Sequence, residues 1–381
     1  MHFFPLPRAA ARAVFVLFVF AVSILPAVAT LQPVADRLTP GLPELIEMRP
    51  LAPLPTHWEG RWLDIDKNYR NFEKGFADHL GLRNLMVRTK NEIDFRLFKT
   101  SRRVYFGRKG ELYGRSLADL ELPNTEKMLS DPAVAAAVYQ GMMNFSERLK
   151  AQGVTLVLLA PMDKQYFTQD RIPLFMPRMP QSSHFMQLYH RFQQAPGLQF
   201  VDVYGILAAS QARFPIYYRQ DFHWTDLSAM TVAAEVTNRI ARLEGLPPAW
   251  RHELAYHDEP YAGSETRFAA RLITTLPTEP QLTKTWQDVH QVIQMDPGKS
   301  GFESVTDTVS DRGLLPAACL FGNSFSDGMM RAGLGDHFEQ FTRLDRAMRL
   351  PDAPALINGR CKYLIVQVLD NTVETWRSMS Q

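Results

Sequence analysis

The run VTLVLLAP, residues 154–161, constrains this chain most. It is apolar at every position but one and rich in Val and Leu, with none of the alternation of a half-solvated strand. Such a run suits a strand covered on both faces, as in a parallel sheet whose crossover connections are helices. Its flanks agree. Ser130-Asp131-Pro132 starts a helix, because Asp caps free N–H groups and Pro fits the first turn, and that helix runs to about Gln152 before Gly153. A helix near 182–194, the strand LQFVDV (198–203), and a helix over 225–245 capped by Thr225 follow. Then come ACLFG (318–322), a helix-like segment to about 333, EQFTRL (339–344) and YLIVQVL (363–369). Strands alternating with helices define an α/β fold with a largely parallel sheet, and such sheets form their sites at the carboxyl ends of the strands.

The N-terminal part reads differently. Arg8 and Arg12 precede an uncharged run from Ala13 to Ala35, about the ~20 residues that span a bilayer as a helix. Bases on the N-terminal side set a cytoplasmic N-terminus and an exported body. Ala27-Val28-Ala29 also fits a signal-peptidase site. Residues 1–35 are therefore read as a signal anchor or signal peptide, the uncleaved anchor being favoured because the apolar run continues past that site. Residues 36–70, rich in Pro and Trp, read as an irregular lead-in, and 71–381 as the main domain. Within it, 71–98 has helical apolar spacing at Leu82, Leu85, Met86, Ile93 and Leu97, and RVYFGRKGELYGR (103–115) reads as a hairpin turning at Arg-Lys-Gly.

The 42 Lys and Arg nearly balance the 40 Asp and Glu, and no basic stripe gives a case for nucleic acid. Cys319 and Cys361 each stand at the start of a strand-like run. If those strands are neighbours a disulfide can form; two buried thiols are the alternative. No Cys-x-x-Cys or His-Glu-x-x-His pattern is present, so neither a zinc site nor another cofactor is expected.

Two stretches carry candidate chemistry. In CLFGNSFSDGM an apolar strand ends at Phe321, Gly322 permits a sharp turn, and Ser324 stands at the sheet's carboxyl edge before a helix whose N–H groups face a developing oxyanion. Serine needs a base, and the base needs a carboxylate to fix its tautomer. RQDFHWTDLSAM (219–230) supplies both: Asp221 and His223 lie two apart, so in an extended segment they face one way. Alone, that dyad reads first as a turn before a helix, with Asp221 capping the turn and His223 bonded to backbone.

The joint pattern resembles the AlgJ/AlgX-type alginate O-acetyltransferases, within the SGNH-hydrolase-like periplasmic proteins. The resemblance rests on Asp221-x-His223-Trp224 followed by Thr225 and a helix, then about a hundred residues later on a strand ending in Gly322-x-Ser324-Phe325-Ser326. FEKGFADHLGLR with Asp78, His79 and Arg83, VYFGRKGELYGR, and LVLLAPMDKQYF come in the matching order, so the likeness covers about residue 60 to the C-terminus. It implies an SGNH-hydrolase-like sheet in which Ser324 is the nucleophile, His223 the general base and Asp221 its orienting acid. Trp224 is implied beside the histidine and among the substrate contacts, and the Ser324 N–H in the oxyanion hole. Lys164 and Tyr166 are implied at the cleft wall. Asn323 replaces the family's Asp or Thr, and Asp163 replaces an expected Asn, which removes an oxyanion role there. No separate carbohydrate-binding module follows the last strand, so the layout is closer to AlgJ. The resemblance also implies a multi-spanning membrane acyltransferase that delivers the acetyl group, an exopolysaccharide acceptor, and a periplasmic location at the inner membrane.

Other features have plainer readings. Asp78-His79 lies on an amphipathic helix and reads as structural, Ser326 as a cap in the next helix, and Gly263-Ser264 as a loop rather than a second nucleophile. Arg343, Asp345, Arg346 and Arg349 read either as a surface ion-pair network or as a contact for an anionic sugar chain. The expected function is O-acetyl transfer through an acetyl-serine to a polysaccharide such as alginate. A carbohydrate O-acetyl esterase with the same triad and a non-catalytic polysaccharide-binding subunit are the rival readings.

Overall fold

The computed structural model describes residues 8–30, 39, 41–47, 49–54, 65–118, 124–180, 182–287, 290–308 and 313–380. The chain divides into two compact units, one formed by Met1–Arg102 with Thr266–Thr275, the other by Arg103–Glu265 with Leu276–Gln381.

The first unit is helical. Arg8–Val28 forms a 21-residue helix. Among the described residues, no helix is long and apolar enough to cross a membrane. Part of the expected lead-in lies outside the described residues, and the helix Ile65–His79 begins within it. Residues 71–98, expected as one helical stretch, are two helices, Ile65–His79 and Arg83–Phe98. The break has a packing cause. Gly81 lies so close to Ala29 that a Cβ there would fall 1.9 Å from its carbonyl carbon, and Leu82 takes a left-handed φ of 63°.

In the second unit, β1 (Val104–Phe106) and β2 (Leu112–Gly114) form the expected hairpin around Arg108–Gly110. Next come β3 (Thr155–Leu159), β4 (Gln199–Val201), β5 (Ala255–Pro260), β6 (Thr278–Thr283), β7 (His290–Gln294), β8 (Phe302–Thr308), β9 (Ala318–Phe321), β10 (Gln340–Leu344) and β11 (Tyr363–Gln367). The main sheet runs β4-β3-β11-β9-β10-β8-β7. From β4 to β10 every pairing is parallel; β8 and β7 extend it antiparallel. β5 and β6 pair separately.

The parallel strands are buried on both faces, as their continuous apolar runs require. Leu156 and Leu158 of β3 join Leu364 and Val366 of β11 on one face, under Met142, Phe145 and Leu149 of the helix Pro132–Ala151. Val157, Leu159 and Ile365 point the other way, against Val232, Val236 and Ile240 of the helix Asp226–Leu243. This is the period-two alternation of a strand placed between two helical layers. Asp131, Ser183 and Thr225 accept backbone N–H groups as caps of their helices. Cys319 and Cys361 form a disulfide, with Cα atoms 5.8 Å apart, across the β9–β11 pair.

The sequence did not announce β5 to β8. Their residues are polar or exposed along much of their length, and Pro260 and Pro280 sit in two of them. Hydrophobic periodicity carries no signal there.

Candidate active site

β9 ends at Phe321, and the chain turns through Gly322 and Asn323 into Ser324 and the helix Phe325–Arg331. Gly322 keeps this turn close-packed: a Cβ would lie 3.0 Å from both Gln367 Oε1 and the Ser326 side chain, tighter than ordinary contact. Gln367, at the end of neighbouring β11, accepts the Asn323 N–H at 3.1 Å. Asn323 Oδ1 accepts the Phe325 N–H at 3.0 Å. Ser324 therefore stands at the start of its helix with its hydroxyl free of capping. Ser326 donates back to the Asn323 carbonyl at 2.7 Å.

The partner loop lies across the sheet's carboxyl edge. Residues 216–225 fold back on themselves, with Thr225 N–H bonded to Ile216 O at 3.0 Å and an antiparallel bridge between Tyr217 and Trp224. At its tip, His223 Nε2 and Ser324 Oγ are 2.7 Å apart, and His223 Nδ1 and Asp221 Oδ1 are also 2.7 Å apart. An ionised carboxylate can only accept, so Nδ1 carries the proton and Nε2 accepts from the serine hydroxyl. The three residues, 101 positions apart at the Ser–His contact, form one continuous hydrogen-bond chain. Asp221 is buried and the His223 side chain is 25% exposed, so the chain runs from the interior to solvent.

Asp221 is saturated with donors. Beyond the imidazole it accepts the His223 N–H at 3.0 Å, the Ser264 N–H at 2.9 Å, the Ser264 hydroxyl at 2.7 Å and Tyr261 OH at 3.2 Å. Burial alone would raise its pKa, but the bonds from His223 and Ser264 outweigh burial and hold it well below the usual carboxylate range. Behind it, Glu265 lies 2.9 Å from Ser264 Oγ. Burial, with the Asp221 charge adding to it, pushes Glu265 up to about 8 against the pull of Lys164. A protonated Glu265 can donate to Ser264 Oγ, which leaves the single Ser264 hydroxyl proton for Asp221. Ser264 thus has a place that the loop reading of Gly263-Ser264 missed. Its only local signal is Gly263, where a Cβ would meet the Gln220 carbonyl oxygen at 2.0 Å.

Two ties fix the serine helix against the histidine loop. Trp224 is buried and donates its indole N–H to Phe325 O at 3.0 Å. Asp226 grips Arg331 through two bonds, at 2.7 and 2.8 Å. Phe222 and Phe325 lie against the imidazole, with ring centroids 3.9 and 5.1 Å from it.

The remaining expected site residues belong elsewhere. Lys164, expected at a cleft wall, is 1% exposed. Its ammonium pairs with Glu111 at 3.0 Å and donates to the carbonyls of Tyr218 (3.2 Å), Arg219 (2.8 Å) and Asp221 (3.2 Å). A buried ammonium must find such partners, and these make Lys164 the clamp beneath the Asp221 loop rather than a substrate contact. Tyr166 is likewise turned away, bonded to Ser183 Oγ at 2.9 Å, with burial raising its pKa far above the usual phenol range. Trp224, grouped with the substrate contacts, packs inside. Arg343 pairs with Asp327 at 2.6 Å and Glu303 at 3.3 Å, and Arg346 bridges the same two acids, which is the ion-pair reading of that cluster. Asp163 is buried and accepts the Gln165 N–H. A separate open groove of about 760 Å³, lined by Lys109, Arg171, Arg213, Arg219 and Tyr256 among others, includes none of Asp221, His223 and Ser324.

The family model for the SGNH hydrolase-like domain of the acetyltransferase AlgX matches residues 122–344, a stretch that includes β3, β9 and all three residues of the hydrogen-bond chain. The chain belongs to this AlgJ/AlgX-type family. A probable alginate O-acetylase AlgJ from Azotobacter vinelandii is 26% identical over 182 residues, 46% of this chain. That match spans 44% of the relative's length. Among solved structures, the O-acetyltransferase domain of Pseudomonas putida AlgJ is 15% identical with a TM-score of 0.47, covering 73% of this chain and 92% of that one. A DHHW family protein from Eubacterium siraeum is also 15% identical, with a TM-score of 0.46, covering 71% and 92%. The family model, not these two likenesses, carries the AlgJ/AlgX assignment.

Proposed function

We propose that this chain is an O-acetyltransferase that passes an acetyl group through Ser324 to a hydroxyl of an exopolysaccharide, alginate or a similar polymer. The observation that carries the reading is the unbroken Asp221–His223–Ser324 chain at the carboxyl edge of a parallel sheet, with both links at 2.7 Å. In the first half-reaction His223 Nε2 takes the Ser324 proton as Oγ attacks the acetyl carbonyl of the donor. The tetrahedral oxyanion forms near the Ser324 backbone N–H, and the imidazolium, balanced by Asp221, returns the proton to the leaving group. In the second, His223 deprotonates the sugar hydroxyl, the alkoxide attacks the acetyl-serine carbonyl, and Ser324 leaves as the hydroxyl while the sugar keeps the ester. No metal is required by this scheme.

The name of the Azotobacter relative supports alginate as acceptor class. Arg8 and Arg12 ahead of an uncharged run, with Phe15, Leu17 and Phe18 each about two-thirds exposed on the helix Arg8–Val28, support an inner-membrane anchor with the body in the periplasm. The donor in this reading is a multi-spanning membrane acyltransferase, since cytoplasmic acetyl thioesters lie across the bilayer. The partial exposure of His223 favours one second reading, an esterase in which water takes the acceptor's place. Purified protein given an activated acetyl ester, with and without oligosaccharide, separates the two. Acetyl transfer that outpaces acetate release supports the transferase; release unchanged by oligosaccharide, with no acetylated sugar, supports the esterase. Full polymer acetylation in cells carrying only Ser324→Ala would rule out the transferase.

A further inference from the structure

In the helical unit, the helices Ile65–His79 and Arg83–Phe98 bury polar side chains and expose an apolar stripe. Their inward positions are polar: Asn68 and Asp78 on the first, Arg88 and Glu92 on the second, all under 10% exposed. Asp78, Arg88 and Glu92 are satisfied within the unit. Asp78 accepts from Arg49 at 2.7 Å and from the Ala52 N–H at 2.9 Å. Arg88 donates to Pro43 O at 3.0 Å, and Glu92 accepts from Arg271 at 2.9 Å and Arg96 at 2.7 Å. One stripe of the outward positions on each helix is apolar. Tyr69, Phe72 and Phe76, at i, i+3 and i+7, are 61, 49 and 37% exposed, and the two Phe rings stack at 5.7 Å. Met86, Ile93 and Leu97, at i, i+7 and i+11, are 45, 50 and 69% exposed. Each set falls on one helix face. A helix bathed only in water places such stripes inward, and contiguous exposed apolar faces mark contact surfaces.

We propose that these two faces lie on the surface of an anionic lipid bilayer. The proposal rests on the anchor reading given above. Three observations choose lipid as the occupant. The junction between the two helices is where Gly81 packs against Ala29, directly after the apolar helix Arg8–Val28, so the exposed stripes begin where the proposed anchor ends. Residues 65–102 carry nine Lys or Arg against five Asp or Glu, in a chain that is otherwise nearly balanced. Lys90, paired to Asp94 and 57% exposed, rises from the Met86–Ile93–Leu97 face itself, where its stem suits the acyl boundary and its amine the phosphates. Arranged so, the two helices form a collar at the headgroup level.

The test uses the full chain reconstituted in vesicles of phosphatidylethanolamine and phosphatidylglycerol. With Cys319 and Cys361 joined, there is no free cysteine among the described residues, so Phe76→Cys, Ile93→Cys, Lys74→Cys and Phe18→Cys each accept one environment-sensitive fluorophore. Labels at Phe76 and Ile93 are expected to be quenched by lipids with a shallow spin label and shielded several-fold from aqueous iodide relative to Lys74, whose side chain leaves the opposite side of its helix. Replacing phosphatidylglycerol by a zwitterionic lipid is expected to weaken both effects. A quenched label at Phe18 with unquenched, iodide-accessible labels at Phe76 and Ile93 overturns this proposal and leaves the anchor standing. Labels unquenched by lipid at all three positions overturn both. Shielding from iodide without quenching by lipid means that a protein covers the face, and it also overturns the proposal.

Discussion

Replacing Lys164 by Met removes the ammonium that joins Glu111 to three carbonyls of the Asp221 loop. Arg171 still pairs with Glu111 at 2.6 Å, so the buried carboxylate is not orphaned, and the loss should fall near the lower end of the range for breaking a buried pair, about 3 kcal/mol. Urea unfolding measures that loss, and the turnover of the folded fraction should drop as the Asp221 loop loosens. Glu265 gives a pH signature. Its pKa rises from an ordinary 4.5 to about 8 on folding, so between those values the folded state holds a proton that the unfolded chain has lost. That contribution makes stability fall as pH rises through the window and level off above it. Glu265→Gln should therefore show a smaller decline in urea midpoint than the parent between about pH 5 and about pH 8. Asp221 works in the opposite sense, its stabilising share being lost only as pH falls below the ordinary carboxylate range. Sequence made the triad legible only through the joint pattern and the family it resembles, since Asp-x-His and Gly-x-Ser are each ambiguous alone. It misassigned Lys164 because the partners that bury a lysine lie more than 50 positions away, and it passed over Ser264 because its target is 43 positions upstream.

At the scale of elements, the site depends on how closely the helix Phe325–Arg331 approaches the helix Asp226–Leu243. Gly328 permits that approach: a Cβ there would lie 2.8 Å from the Ala229 Cβ and 3.3 Å from the Trp224 indole nitrogen. Gly328→Ala should push the serine helix outward. A shift of even part of an ångström at the Ser324–His223 contact should lower turnover by roughly tenfold or more, since misplacement of about 1 Å can cost about a hundredfold. Steady-state kinetics and circular dichroism together separate this from unfolding. The strands on either side of the site were readable because β3, β9 and β11 are buried on both faces and composed accordingly. The caps at Asp131 and Thr225 were legible as local hydrogen-bond chemistry. By contrast, the break at Gly81 is imposed by Ala29, 52 positions away in the sequence, which no helical periodicity could disclose.

For the molecule as a whole, the disulfide ties Cys319 of β9, five positions before Ser324, to Cys361 just ahead of β11, across a sequence separation of 42. Loop-closure entropy for a ring of that size amounts to about 4 kcal/mol. Reduction, or Cys361→Ser, should accordingly lower the thermal midpoint by several degrees, more than most surface substitutions do. The cysteine count allowed either a disulfide or two thiols; only the adjacency of β9 and β11 decided between them. Peptide mass spectrometry of the full chain after brief exposure to an activated acetyl ester tests the central claim most directly. The account predicts one acetyl group on the peptide containing Ser324, removed on adding acceptor oligosaccharide and absent in His223→Ala. Acetylated sugar formed with Ser324 never modified, or formed equally well by Ser324→Ala, would contradict it.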